Sequence, residues 1–168
     1  MTIAIHITWA ACEAADRTEG HILGLPENER VNRIWDRLRR LADDCGVGAW
    51  IAARAPEHDR EKGLHLHIGV RLPASAYGRL VQLIERLTGA PHEDYFPVPK
   101  TVTHRGRKCH GVIARGQLGA WMIQKNTRSD MGGTEGLMRY VTKAPKAAET
   151  SAQFRLSNDM LRIARSHG

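Results

Sequence analysis

The chain has 168 residues, enough for one domain; 42% are hydrophobic but only 5% aromatic, so aliphatic side chains must build the core. Lysine and arginine outnumber aspartate and glutamate by 25 to 18, giving a net charge of +7 that favours a polyanionic partner such as nucleic acid. Three widely spaced cysteines argue against a disulfide framework or a cysteine zinc site, and no apolar run is long enough for a membrane span.

The sequence also carries signals about cellular location and organisation. No signal-peptide pattern opens the chain and its few cysteines suit a reducing compartment, so we expect a cytoplasmic protein. There is no P-loop motif, so no motor activity is expected. We expect one domain over residues 1–168, with residues from about 146 to 168 as a C-terminal helical extension.

Hydrophobic periodicity predicts an alternation of strands and helices. A helix over 27–45 places six apolar side chains on one stripe between Pro26 and Gly46. A strand over 64–72 shows the clearest alternation in the chain, with apolar side chains on one face. The other predicted elements are strands at 2–9, 48–55 and 118–125, helices at 75–88 and 134–144, a loop after residue 9, a basic turn-rich segment at 95–116 with a hairpin around 104–111, and a partly helical tail at 150–165.

This order of elements predicts the fold class. A β-α-β-β-α-β succession, followed by another strand and a helix, is typical of an α+β fold with a central antiparallel sheet and packed helices, of ferredoxin-like character. We expect Trp50 and Trp121 in the core, and Tyr77 on the buried stripe of the helix at 75–88.

Two histidines on the strand at 64–72 carry the first chemical signal. Residues i and i+2 of a strand share a face, so His65 and His67 present neighbouring imidazoles that can bind one divalent cation. Glu57 would come near them through a short hairpin, with His58 and Glu61 competing for the third position. Two nitrogen ligands and one oxygen ligand would leave coordination positions on the metal open. Such a site suits Mg²⁺ or Mn²⁺ acting as a Lewis acid. The alternative is two exposed histidines on a solvated sheet face.

Tyr140 and Lys143 carry the second signal. They are three residues apart in a predicted helix and therefore share a side. A protonated phenol is a weak nucleophile, and an adjacent ammonium and a metal-bound phosphate would favour its ionised form, the phenolate. Of the three tyrosines, Tyr77 fits a buried stripe and Tyr95 lies in a proline-rich connection, which leaves Tyr140 as the predicted nucleophile. The alternative is a core tyrosine beside a surface lysine.

In their order along the chain these motifs resemble those of the Rep-class HUH endonucleases, the rolling-circle replication initiators of plasmids and small viruses. Residues 5–9 (IHITW) look like the family's first motif, 65–67 (HLH) like its second and 140–143 (YVTK) like its third, so that the resemblance spans nearly the whole chain. It departs at Leu64, where a proline usually precedes the first histidine, and the loose first motif gives Thr8 no role.

The resemblance implies an RRM-like HUH nuclease fold and a nicking and joining reaction with one catalytic tyrosine. A metal held by Glu57, His65 and His67 would polarise the scissile phosphate of single-stranded or hairpin DNA. Tyr140 would attack that phosphate, leaving a 5′-phosphotyrosine and a free 3′ hydroxyl, while Lys143 neutralises charge. A host helicase and a polymerase are the expected protein partners.

A set of basic residues is expected to contact the DNA backbone. An HUH transposase or mobilisation nuclease would use the same chemistry. Two further alternatives are a non-catalytic, ferredoxin-like nucleic-acid-binding module with incidental histidines, and a zinc hydrolase that needs no tyrosine. The predicted DNA contacts are Arg71, Arg105, Arg107, Lys108 and Arg115.

Overall fold

A computed structural model describes residues 2–16, 22–50, 52–59, 63–96, 102–104, 107–109, 111–126 and 155–166. Its strands are β1 (Thr2–Thr8), β2 (Ala52–Asp59), β3 (Gly63–Arg71), β4 (His92–Phe96), β5 (Val102–His104), β6 (Arg107–Cys109), β7 (Gly111–Gly116), β8 (Trp121–Asn126) and β9 (Arg155–Leu156). Its helices are α1 (Trp9–Ala15), α2 (Glu27–Asp44), α3 (Tyr77–Thr88) and α4 (Asn158–Ser166), with short 3₁₀ turns at Ala74–Ala76 and Gln117–Gly119.

Seven strands form one antiparallel sheet in the order β4-β7-β8-β1-β3-β2-β9, and β5 pairs with β6 in a separate hairpin. β3 lies between β1 and β2, and β8 lies on the other side of β1. The α+β class with a central antiparallel sheet and packed helices is thereby confirmed, and the arrangement is compatible with a ferredoxin-like fold.

Helices cover one face of the sheet. Ile3, Ile5 and Ile7 of β1 are fully buried, and each lies opposite an apolar residue of β3. The buried stripes of α2 and α3 belong to the same apolar cluster, and both helices form where the periodicity predicts them. Because successive strand residues face opposite sides, the even-numbered residues of β1 and the odd-numbered residues of β3 form the other face of the sheet.

The aromatic residues predicted for the core are buried there. Trp50 and Trp121 are almost fully covered, and so is Tyr77, whose hydroxyl donates to the Ile123 carbonyl at 3.3 Å. The Trp121 indole N–H donates to the Ala90 carbonyl at 2.9 Å. Its ring lies over Gly116, where a Cβ would come within 2.3 Å of Trp121 Nε1. A glycine is therefore required at that position for the indole to fit.

Two elements in the N-terminal half differ from the prediction. α1 begins at Trp9, where the end of a strand and a loop were predicted; its WAACEAA sequence is rich in alanine, the best helix former. β2 covers Ala52–Asp59 instead of 48–55. The Trp50 N–H is held by the Asp159 carboxylate at 2.7 Å, which removes that donor from the strand ladder. At its other end β2 is prolonged by pairing with β3 as far as Asp59.

The C-terminal half contains more strand than predicted. β7 lies within the segment expected to be turn-rich at 95–116, and β4 ends in it; β7 pairs with both β4 and β8. The hairpin within it is confirmed as β5–β6, and the strand predicted at 118–125 is β8, which begins only after the turn at Gln117–Gly119. The tail predicted to be partly helical contains α4, but Arg155–Leu156 form strand β9 and pair with β2. The helix predicted at 134–144 lies outside the described residues. Of the helices described, none has the length and apolar character needed to cross a bilayer.

Candidate metal centre

Three histidines meet on the sheet face that α2 and α3 leave uncovered. Antiparallel register places His6 of β1 directly opposite His67 of β3. His65, two residues before His67, shares its face and lies opposite Thr8. Since residues directly opposite each other in a sheet are on the same side, all three imidazoles occupy one face.

The three rings are mutually in contact. Their centroids are 4.3 Å apart for His6 and His67, 4.9 Å for His65 and His67, and 5.1 Å for His6 and His65. One ring nitrogen from each histidine lies within 4.8 Å of the other two. His65 is buried, and His6 and His67 are half-buried. The three residues lie close enough to bind one metal ion, because imidazole nitrogens at this separation can share a centre.

The structure brings together the two histidines predicted from the strand pattern and adds His6, which the pattern of β3 alone does not indicate. A signal for His6 was present, because the alternation of β1 places it with Thr8 on the polar face. What the local pattern lacks is the pairing of β1 with β3, which makes His6 a neighbour of the other two.

The register of β2 places the residues proposed as the third metal ligand on different faces of the sheet. Glu57 lies directly opposite His65, so its position belongs to the imidazole face, whereas His58 lies opposite Leu64 and its position belongs to the helix-covered face. The side chains of Glu57 and His58 lie outside the described part of the chain, as does the whole of Glu61. The role of Glu57 as a metal ligand stays a prediction.

Two of the predicted DNA contacts are on the imidazole face. Arg115 lies opposite Met122 of β8, which lies opposite His6, so about 10 Å separates the Arg115 and His6 backbones across two strand spacings. Arg71 is four residues beyond His67 on β3, about 13 Å along the strand. Both side chains are exposed. Arg105 lies outside the described residues, and so do the side chains of Arg107 and Lys108 on β6.

The predicted nucleophile and its partner, Tyr140 and Lys143, lie outside the described residues. Tyr77 is buried and donates a hydrogen bond to a backbone carbonyl of β8, as expected for a core residue. The Tyr95 side chain lies outside the described residues, although its backbone belongs to β4. The assignment of Tyr140 as the nucleophile therefore stays a prediction.

The nearest thiol to β1 in sequence is not available to the centre. Cys12 of α1 is fully buried, and its Sγ donates to the Ala120 carbonyl at 3.3 Å. Burial raises the pKa of the Cys12 thiol to about 12, with a further contribution from the Glu13 carboxylate. A thiol must lose its proton to bind a metal or act as a nucleophile, so Cys12 is inert at neutral pH.

From the described part of the chain the cluster supplies three imidazole ligands, one fewer than the four of a closed structural zinc site. A metal bound there can polarise an oxygen atom of a bound phosphate or lower the pKa of a bound water. No protein-family model matches the chain, and no curated protein matches it.

Proposed function

We propose that the protein is a metal-dependent endonuclease of the HUH type that nicks single-stranded DNA through a covalent tyrosine intermediate. The observation that carries the proposal is the cluster of His6, His65 and His67 on one sheet face, close enough together to bind one metal ion. The cationic composition, with a net charge of +7, supports a polyanionic substrate.

The donor set favours one of the two metals expected from the sequence. Mg²⁺ prefers oxygen ligands, whereas imidazole nitrogens suit transition metals. With His6 as a third nitrogen donor, Mn²⁺ is favoured over Mg²⁺. A Glu57 carboxylate would add an oxygen ligand to these three nitrogens. When bound, the metal supplies Lewis acidity at a non-bridging oxygen of the scissile phosphate.

The covalent step uses Tyr140, in keeping with the resemblance of YVTK to the third HUH motif. The Tyr140 oxygen forms a bond to phosphorus as the bond from phosphorus to O3′ breaks. The phenol proton ends on the departing 3′ oxygen, and Lys143 neutralises charge on the phosphate. The product is a 5′-phosphotyrosine with a free 3′ hydroxyl, and the reverse attack reseals the strand.

The exposed arginines on the imidazole face give the substrate a path across the sheet. Arg115 and Arg71 lie on different sides of the histidine cluster, at distances that suit phosphates flanking the scissile one. The substrate would be single-stranded or hairpin DNA, because the phosphate must be held away from a partner strand. Rolling-circle replication with a host helicase and polymerase is the proposed setting; transposition or mobilisation would use the same chemistry.

A zinc hydrolase is the second candidate, and His6 is the observation that favours it. Three histidines with an open fourth position form the ligand set of several zinc enzymes, in which bound water is the nucleophile. Such an enzyme would need no tyrosine, and its product would carry no covalent bond to the protein.

Covalent trapping tests the proposal. The protein is incubated with Mn²⁺ and a random-sequence pool of single-stranded oligonucleotides, labelled at either end, and resolved on a denaturing gel. A 5′-phosphotyrosine attaches the downstream fragment to the protein, so the 3′ label should move with the protein while the 5′ label appears on shortened free strands. Chelator should abolish both products, because the imidazole cluster then lacks its metal.

Three variants make the test specific. Tyr140→Phe and His65→Gln should form no adduct, whereas Tyr77→Phe should form it normally, since Tyr77 is buried away from the imidazole face. An adduct that persists in Tyr140→Phe would rule out this nucleophile. Cleavage that survives in Tyr140→Phe, needs Zn²⁺ and never gives an adduct would instead support the hydrolase.

A further inference from the structure

Thr8 is the fourth corner of a square of side chains on the imidazole face. It follows His6 by two residues on β1, so the two side chains point to the same side of the sheet. The register places Thr8 directly opposite His65 on β3. Because His6 in turn lies opposite His67, three corners of this side-chain square carry imidazoles and the fourth carries a hydroxyl group.

The strand pairing brings Thr8 close to His65. The Thr8 N–H donates to the Ala120 carbonyl at 2.8 Å, so the backbone polar groups of Thr8 point away from β3. Thr8 and His65 are therefore a non-hydrogen-bonded pair, in which opposed side chains approach most closely. The Cβ atoms of such a pair are about 4.5–5.5 Å apart. The Thr8 hydroxyl consequently lies beside the imidazole cluster.

The fold does not use the Thr8 hydroxyl. A threonine that precedes a helix commonly accepts a hydrogen bond from the first helical turn, but the Thr8 side chain makes no such bond to α1. Within the described part of the chain it has no other hydrogen-bond partner, and it is only half-buried. A group that can both donate and accept is thus left next to the candidate metal centre.

The neighbours of the side-chain square differ from Thr8 in chemistry. Met122 lies opposite His6 on β8, and Ala4 precedes His6 by two residues, so neither brings a hydrogen-bond donor for phosphate. The position of Glu57 is opposite His65 on the side away from β1, and a carboxylate repels phosphate. Thr8 is therefore the corner of the square at which a neutral O–H can meet an anion.

We infer that the Thr8 hydroxyl donates a hydrogen bond to an oxygen of the phosphate held at the metal. The inference rests on the proposed function, because it needs a metal at the imidazoles. Threonine is much shorter than histidine, so a ligand on a metal held by the three imidazoles can approach the sheet at the Thr8 corner. A hydrogen bond to a charged oxygen there would fix the phosphate while the metal polarises it.

Strand binding with and without metal tests this contact. Phosphate contacts carry no sequence information, so a fluorescent oligothymidylate is a sufficient probe. Its anisotropy is followed in Mn²⁺ and in chelator, with Tyr140→Phe in every protein so that the predicted nucleophile is absent. Thr8→Val keeps the branched shape and the strand preference of threonine. It should weaken binding about tenfold or more in Mn²⁺, the size of a hydrogen bond to a charged group, and leave binding in chelator unchanged.

Two further readouts separate this contact from a charge effect and from a structural one. The hydroxyl is neutral, so in Thr8→Val the slope of log K against log salt should stay that of the parent protein. Thr8→Ser keeps the hydroxyl and loses only a methyl group, and it should bind the strand within about threefold of the parent protein.

Calorimetric titration with Mn²⁺ alone distinguishes a phosphate contact from a metal ligand. Thr8→Val should bind the metal as the wild type does, because Thr8 makes no hydrogen bond to the imidazoles. A parallel loss of metal affinity, equal losses in Thr8→Val and Thr8→Ser, or undiminished strand binding by Thr8→Val would overturn the inference. A wild type that binds no metal would remove both proposals. A wild type that binds metal and strand but forms no covalent adduct would remove only the nuclease.

Discussion

His6 on β1 lies directly opposite His67 on β3, and the centroids of their rings are 4.3 Å apart. The two strands come from distant parts of the sequence and are adjacent at the centre of the sheet. A metal bound by both imidazoles would therefore join two central strands. Binding to such a site requires the folded sheet, so metal affinity and stability must be linked.

Metal should raise the melting temperature of the wild type through this site. A ligand at about 100 times its Kd stabilises the folded state by about 2.7 kcal/mol. His6→Gln removes one nitrogen donor of the cluster and should weaken Mn²⁺ or Zn²⁺ binding at least about tenfold, because even the loss of a supporting group around a metal costs that much. At the same metal concentration, metal should therefore stabilise His6→Gln by roughly 1.4 kcal/mol less than it stabilises the wild type. Thermal unfolding of both proteins with and without metal measures this difference.

His92→Gln is the control for this measurement. His92 is a strand histidine outside the cluster, with its ring stacked on Trp121 at a centroid distance of 6.0 Å. Its substitution should change the melting temperature of the metal-free protein but leave the metal-induced increase intact. A full increase in His6→Gln would show that His6 does not bind the metal.

The sequence predicts the parts of this site that local periodicity determines. Alternation on β3 places His65 and His67 on one face, and the 3.6-residue period identifies the buried stripe of α2. The contribution of His6 depends on which strands are neighbours, and that is decided by packing of the whole sheet. The start of β2 depends likewise on a distant group, the Asp159 carboxylate that binds the Trp50 N–H.

The buried thiol of Cys12 should make stability fall in alkali. An unfolded thiol loses its proton near pH 8.5, whereas burial raises the pKa in the folded protein to about 12. Between these values the unfolded state binds fewer protons, so the free energy of unfolding decreases as the pH rises. From about pH 7.5 to about pH 9.5 the Cys12 contribution should fall by about 1.4 kcal/mol.

Urea unfolding of wild type and Cys12→Ala at both pH values measures this contribution. Cys12→Ala loses the bond to the Ala120 carbonyl and should be the less stable protein at about pH 7.5. The difference in stability between Cys12→Ala and wild type should shrink at the higher pH, because alanine has no proton to lose. A deficit that stays constant would mean that the thiol ionises equally in both states.

Gly116→Ala should destabilise the protein by about 1–3 kcal/mol, because overpacking a filled site forces its neighbours to move. A Cβ at this position would come within 2.3 Å of Trp121 Nε1, and the indole is held by its bond to the Ala90 carbonyl. Gly78→Ala is the matched control: it lies on the exposed side of α3, where a Cβ would meet nothing within 4 Å. Its stability should be unchanged or higher by up to about 1 kcal/mol. Equal midpoints in urea for the two variants would contradict this packing account of Gly116.

Substitutions at two neighbouring residues in the turn between β7 and β8 should have opposite effects on stability. Leu118 adopts a left-handed conformation with φ of 55° while its side chain is 63% exposed, so it carries backbone strain with little burial to offset it. Leu118→Gly should therefore stabilise the protein by up to about 1 kcal/mol, and Leu118→Asn by less. Gly119 has φ of 72° and open space around its Cβ position, so Gly119→Ala should destabilise it by about 1 kcal/mol through the backbone alone. Urea unfolding of the variants measures these differences in stability. If Gly119→Ala were more stable than wild type, or Leu118→Gly clearly less stable, the turn would not hold these two residues in the left-handed region.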